Sequence, residues 1–307
     1  MSRDLFAPRN VSGIEFPTRL WAASGCWGWG VEAIEGEFFP HGILGATVLK
    51  GTSLASERGA YGPRIWEYSS GGGVVNAIGL ENRGVNWLCE EILEKKFADR
   101  PSPVPIFVNV FGFVPEDYAK VISRVVNSLK TLKITPTNLK FFAGFELNVS
   151  CPNVEKGGIE ISADLDILSR VIRESVAAAE GFAVTLKLSA TETSESLQTK
   201  WKVLETGGLW GIVLTNTLPV TVPQKQLLGR KSGGLSGAPL FLRNLKLVSE
   251  IFQLRLASQF ASSIQIIACG GVQTHLEAGA YLEQGADFVQ IGVGLWHPDL
   301  KNRFKID

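Results

Sequence analysis

The sequence predicts an α/β fold closed into a (β/α)8, or TIM, barrel with long top loops, and three observations carry that prediction. Eight strand-like apolar runs alternate with helix-period segments over 307 residues, a length normal for one such barrel. Most of the runs end in or beside a polar residue. Glycine pairs follow the seventh and eighth runs, where this fold holds phosphates.

The elements follow in order. RLWAAS (19–24) reads as the first strand, with a glycine-aromatic turn and a helical VEAIEGEFF (31–39) after it. ATVLK (46–50) is the second, followed by a polar, glycine-rich excursion to about residue 83 and the helix GVNWLCEEILEKKF. PIFVNV (105–110) precedes PEDYAKVISRVVNSLKTL, whose proline suits a first helical position. FFAGFELNV (141–149) leads to a helix over about 164–179. FAVTLKL (182–188), GIVLT (211–215), QIIAC (265–269) and FVQIG (288–292) complete the eight, with helices LQTKWKVLET, PLFLRNLKLVSEIFQ and THLEAGAYLEQ among them.

Only about 13 residues follow the last glycine loop, so the eighth helix must be short. An open doubly wound sheet is the alternative, but no G-x-G-x-x-G follows the first strand. No linker or low-complexity stretch divides the chain. One domain over 1–307 is expected, with long loops at about 51–83 and 217–237.

Composition narrows the function. Hydrophobic residues make up 45% and charged residues 20%, enough for a sizeable core. Thirty basic residues balance thirty acidic ones and are scattered, so neither nucleic acid nor a membrane is an expected partner. Cys26, Cys89, Cys151 and Cys269 form no C-x-x-C, and His41, His275 and His297 have no ligand spacing, so no metal is expected. The amino terminus has no signal-peptide stretch, and a reducing, cytoplasmic setting is the expectation.

The polar strand ends are the candidate site: Lys50, Asn109, Asn148, Lys187 and Asn216. A lone lysine there is ordinarily a solvated charge, but TLKL puts Lys187 inside an apolar run, where an ammonium needs an accepting partner. Asn76, Asn148, Asn153 and Asn216 suit a flat heterocycle that alternates N–H and C=O, although Asn76 and Asn153 also read as turn residues. SGGLSGAP, ACGGV and QIGVG suit a phosphate-bearing cofactor. In ELNVSCPNV (146–154) the residues alone leave Cys151 open as packing residue, metal ligand, redox thiol or catalyst.

Taken together, ASGCWGWG (23–30), LKGTSLASERGAYGPR (49–64), NAIGLENRGV (76–85), FVNVFG, ELNVSCPNV, TLKL, LTNT, GGLSG, ACGGV and VQIG resemble the dihydroorotate dehydrogenase family nearly end to end. The cysteine in N-x-S-C-P-N is similar to the soluble class 1 enzymes, since class 2 members carry serine there. K-G-T-S-L and N-A-I-G-L-E-N are more like class 1B than the fumarate-using class 1A.

The resemblance implies FMN-dependent oxidation of (S)-dihydroorotate to orotate in pyrimidine biosynthesis. Cys151 would be the base that takes the C5 proton while a hydride leaves C6 for the flavin. It implies FMN contacts from Ala23, Ser24, Gly25, Lys50, Asn109, Asn148 and Lys187, and phosphate contacts from Gly237, Gly270, Gly271, Gly292 and Val293. The pyrimidine would be held by Lys50, Asn76, Asn148, Asn153, Asn216 and Thr217 and by the N–H groups of Ile78, Gly79 and Leu80.

A homodimer is implied, or a heterotetramer with a subunit carrying FAD and a [2Fe–2S] cluster that passes electrons to NAD. The chain departs from the family at Cys269 and Val272, where V-G-G-I is commoner, and at VGLW, where V-G-T-A is commoner. Rival readings are a dihydropyrimidine dehydrogenase-type reductase, a phosphate-binding isomerase barrel without flavin, and a non-catalytic scaffold barrel.

Overall fold

Short apolar strands flanked by amphipathic helices close on themselves when each strand pairs in parallel with the next, because the helices cover the outer face. The computed structural model describes residues 4–29, 40, 42–68, 72–98, 102, 104–150, 161–223, 228–258 and 263–304. An amino-terminal hairpin of β1 (Arg9–Val11) and β2 (Ile14–Phe16) comes first. The barrel follows, with β3 (Leu20–Ala22), β4 (Ala46–Val48), β7 (Ile106–Val110), β8 (Phe142–Asn148), β9 (Ala183–Lys187), β10 (Gly211–Leu214), β13 (Gln265–Cys269) and β14 (Phe288–Ile291). These eight form a closed parallel ring in chain order, so every predicted strand has its counterpart.

The predicted loops at 51–83 and 217–237 need correction. They contain β5 (Ile65–Tyr68), β6 (Gly73–Asn76), β11 (Leu218–Thr221) and β12 (Ser232–Gly237), which form a four-stranded antiparallel sheet in the order β11-β12-β6-β5. β12 (SGGLSG) is glycine-rich and β11 (LPVT) carries a proline, so neither reads as a strand, and β6 pairs with β12 across a long sequence separation, Asn76 standing opposite Gly234. Val75, Val222, Leu228 and Leu235 give this sheet its own small core.

The helices sit where the pattern placed them. Gly84–Trp87 is α1 and runs on as a wider, π-wound turn over Leu88–Phe97. The helix α2 (Pro115–Thr131) starts on its proline, and Asp117 accepts from the N–H groups of Phe113 and Val114 at 3.0 and 3.3 Å. Asp164 caps α3 (Leu165–Ala178), and Thr193 caps α4 (Ser194–Thr206). After α5 (Phe241–Ala257), Thr274 and Glu277 make a capping box on α6 (His275–Glu283). The last described helix, α7 (Leu300–Arg303), has four residues, matching the short eighth helix expected. The predicted helix 31–39 lies outside the described residues. No described helix is long and apolar enough to cross a membrane.

The hairpin plugs the amino-terminal mouth of the barrel. Phe16 stacks on Trp21 at 5.1 Å, Trp21 on Phe107 at 5.0 Å, and Phe288 lies 4.7 Å from both Phe16 and Trp21. Polar ties fasten the plug: Arg9 donates to Asp287 and Gln265, and buried Arg255 from α5 pairs with the same Asp287. Removing that shared carboxylate strands a buried guanidinium. Asp287→Ala is therefore expected to destabilise the fold by about 3–5 kcal/mol in chemical denaturation. A loss below about 1 kcal/mol would contradict this account of the plug.

Candidate functional site

Because side chains alternate along a strand, Glu146 and Asn148 of β8 share a face, and the parallel register sets Asn109 beside Glu146 and Asn148 beside Lys187. The result is a buried polar cluster at the carboxyl end of the barrel. Lys187, 5% exposed, lies 3.5 Å from Glu146 and donates to Gln290 Oε1 at 3.2 Å. Asn109 Nδ2 donates to Glu146 Oε1 at 2.8 Å, and Gln290 Nε2 to Glu146 Oε2 at 2.6 Å. Both carboxylate oxygens are satisfied, which is what makes a buried charge tolerable.

Burial by itself pushes the Lys187 ammonium down, but the Glu146 carboxylate lifts it above its ordinary value, so it stays charged. Lys187 also faces two thiols. Burial pushes Cys26 up to about 12 and raises Cys269, with Lys187 partly offsetting both. Neither is a thiolate at neutral pH.

Three further groupings surround this cluster. In the first, Asn216 Nδ2 donates to Asn148 Oδ1 at 3.2 Å and to Ser150 Oγ at 2.5 Å, and Ser150 Oγ donates to Asn148 Oδ1 at 2.8 Å. Tyr118 of α2 steadies the strand end by donating to the Asn148 carbonyl at 2.9 Å, and Thr217 N donates to Asn216 Oδ1 at 2.8 Å. The top sheet adds Asn76, which donates to the Gly234 carbonyl at 3.2 Å. Gly234 is obligatory because a Cβ there would stand 2.1 Å from Thr217 Oγ1.

The second grouping is cationic. Lys50 lies 3.4 Å from Glu81 and 5.2 Å from the Trp29 ring centre, and Arg64 holds the same Glu81 oxygen at 2.7 Å. Beside them, Gly79 and Leu80 take positive φ values of 71° and 60°. Among the described residues no acceptor meets the N–H groups of Ile78, Gly79 or Leu80. Successive open N–H groups on such a turn make a nest for an anion. Ser24 Oγ donates to the Leu49 carbonyl at 2.9 Å, and Ala23 N to the Ile291 carbonyl at 2.9 Å, which brings 23–25 alongside Lys50.

The third grouping is the glycine side. Gly237, Gly270 and Gly271 have φ of 94°, 122° and 79°. At Gly271 a Cβ would meet Phe241 Cα at 2.5 Å, so the loop after β13 lies flush against the start of α5. Gly292 precedes a short turn over Val293–Trp296, close to Cys26.

The strand ends thus bring together Lys50, Asn109, Asn148, Lys187 and Asn216, while the top sheet adds Asn76 and the link from β10 to β11 adds Thr217. Cys151 and Asn153 lie outside the described residues. Sequence reasoning missed Glu146, Gln290 and Glu81. Glu146 and Gln290 carried the same signal as Lys187, a polar residue inside an apolar strand; Glu81 sits in a turn and carried none.

Fold and site together define a (β/α)8-barrel protein whose charged and amide side chains converge on the carboxyl face, where barrel enzymes work. The dihydroorotate dehydrogenase family profile matches residues 7–306. The chain is 32% identical over 294 residues to dihydroorotate dehydrogenase A (fumarate) of Limosilactobacillus reuteri, covering 94% of this chain and 87% of that one. It is also 32% identical over 286 residues to the catalytic subunit of dihydroorotate dehydrogenase B (NAD(+)) of Fusobacterium nucleatum, covering 92% and 85%. A crystal structure of DHODH from Eimeria tenella in complex with ferulenol superposes with a TM-score of 0.73 at 20% identity, over 98% of this chain and 82% of that one. The chain belongs to the dihydroorotate dehydrogenase family and is an oxidoreductase.

Proposed function

We propose that the chain is one FMN-binding barrel domain over 1–307 that oxidises (S)-dihydroorotate to orotate in pyrimidine biosynthesis, in the cytoplasm. The observation that carries the cofactor reading is the buried, carboxylate-paired Lys187 ammonium close to an orphaned acceptor. Asn109 Oδ1 is buried and meets no donor among the described residues. A buried acceptor without a partner calls for a donor from a ligand. A flavin ring, with an N–H between two carbonyls and an edge that becomes negative on reduction, supplies such a donor and suits such a cation.

Ala23, Ser24, Gly25, Lys50, Asn109, Asn148 and Lys187 would hold the ring, and Gly237, Gly270, Gly271, Gly292 and Val293 its phosphate. When bound, FMN supplies the hydride acceptor. The chain does the rest. Lys50 and the N–H groups of Ile78, Gly79 and Leu80 bind the substrate carboxylate. Asn76, Asn148, Asn153, Asn216 and Thr217 fix the pyrimidine, and Cys151 takes the C5 proton.

K-G-T-S-L and N-A-I-G-L-E-N favour class 1B, in which electrons pass to NAD through a partner subunit with FAD and [2Fe–2S]. The assembly is then a homodimer carried within a heterotetramer. The identity of 32% to a fumarate-type and to an NAD-type relative separates neither subclass. The test is turnover by the FMN-loaded protein. Activity with dihydroorotate and none with dihydrouracil supports the reading, and the reverse would replace it with a dihydropyrimidine dehydrogenase-type reductase. Fumarate reduction without a partner would move the chain to class 1A.

A further inference from the structure

We propose that Glu81 is a specificity-determining residue, a carboxylate of the chain itself that competes with an anionic ligand for Lys50. This rests on the function proposed above. The cationic grouping has the chemistry of a carboxylate receptor: a lysine at a strand end and a turn whose N–H groups at Ile78, Gly79 and Leu80 have no acceptor among the described residues. Yet the receptor's lysine already has a carboxylate. Glu81 Oε2, on the residue next to that turn, lies 3.4 Å from Lys50 Nζ.

The same oxygen is held more closely by Arg64, at 2.7 Å, and Arg64 is itself anchored by donating from Nε to the Ala60 carbonyl at 2.7 Å. Glu81 can therefore give up Lys50 without losing its cation. The two cations also bring the Glu81 carboxyl below the usual carboxylate range against the opposing effect of burial, so it is charged throughout the neutral range.

Two consequences follow. A ligand carboxylate entering the nest must either displace Glu81 from Lys50 or stand beside a like charge, and each lowers its affinity. A ligand of the same shape without the charge meets neither cost. Glu81 therefore narrows the gap in affinity between anionic pyrimidines and neutral ones, and it loosens an anionic product as much as an anionic substrate. Its side chain is 42% exposed, so replacing it leaves the packed core untouched.

The experiment is calorimetric titration of the flavin-loaded protein, wild type and Glu81→Gln, with orotate and with its neutral carboxamide. The expected result is orotate binding about fivefold tighter in the variant, with the carboxamide unmoved and the difference shrinking at high salt. Orotate affinity that is unchanged or weaker in the variant would overturn the inference. So would equal shifts for both ligands, which mark a structural role. If wild-type protein binds no orotate at all, the proposed function itself fails and the role of Glu81 with it.

Discussion

Cys151→Ala is expected to slow dihydroorotate oxidation by about 10²–10⁴-fold, the usual worth of a positioned general base. In the proposed reaction two C–H bonds break: the bound cofactor would supply the hydride acceptor, while the C5 proton would need a base on the substrate's other face. The remaining described cysteines do not suit that work. Cys26 and Cys269 are pushed up by burial, Cys26 to about 12, and Cys89 is buried behind α2 with its thiol raised to about 11.

Cys151 follows Ser150, whose hydroxyl is tied to Asn148 and Asn216, two residues proposed to orient the pyrimidine. Only the thiolate can take the proton, so the wild-type rate should climb with rising pH as the thiol ionises and fall at lower pH as it stays protonated. The alanine variant should lose both rate and slope. A variant that keeps the wild-type rate and pH profile would remove Cys151 from the mechanism.

Lys187→Ala and Glu146→Gln are expected to move the flavin midpoint potential in opposite directions. Removing the ammonium withdraws a positive charge from the reduced cofactor and lowers the potential. Neutralising Glu146 removes the buried negative charge that offsets Lys187, so the potential would rise, the anionic reduced flavin taking over from Glu146 as the charge that keeps the ammonium protonated. Shifts of at least ~30 mV are expected, equivalent to about 1.4 kcal/mol for two electrons.

Both variants should also cost stability, because each leaves a buried charge without its partner. That shared loss is why the sign matters. A purely structural pair would loosen FMN in both variants without opposed potentials. Potentiometric titration of each variant reads this directly, and two shifts of the same sign would contradict the electrostatic role given to Lys187.

The barrel was legible because its signals are local. Each strand is a short apolar run, each helix repeats at 3.6 residues, and most helices begin at a proline or a capping residue such as Asp164, Thr193 or Thr274. The top sheet was not legible, because β12 (SGGLSG) is broken by glycines and β6 pairs with it from over 150 positions away. The amino-terminal hairpin hides for a related reason: Ile14 and Phe16 look like a loop's stray apolar residues until the barrel mouth needs filling.

At the site, Lys187 betrayed itself as a charge in an apolar strand. Glu146 made the same statement in ELNVSC but stood in the shadow of the cysteine. The Lys50–Glu81–Arg64 cluster was invisible because three separate loops supply it, and only folding brings them within 3.4 Å.

The most direct test of the whole account is anaerobic mixing of the FMN-loaded wild-type protein with (S)-dihydroorotate in a stopped-flow spectrometer. The account predicts bleaching of the flavin absorbance band with one orotate formed per flavin. A fully loaded protein whose flavin stays oxidised in the presence of dihydroorotate would contradict it.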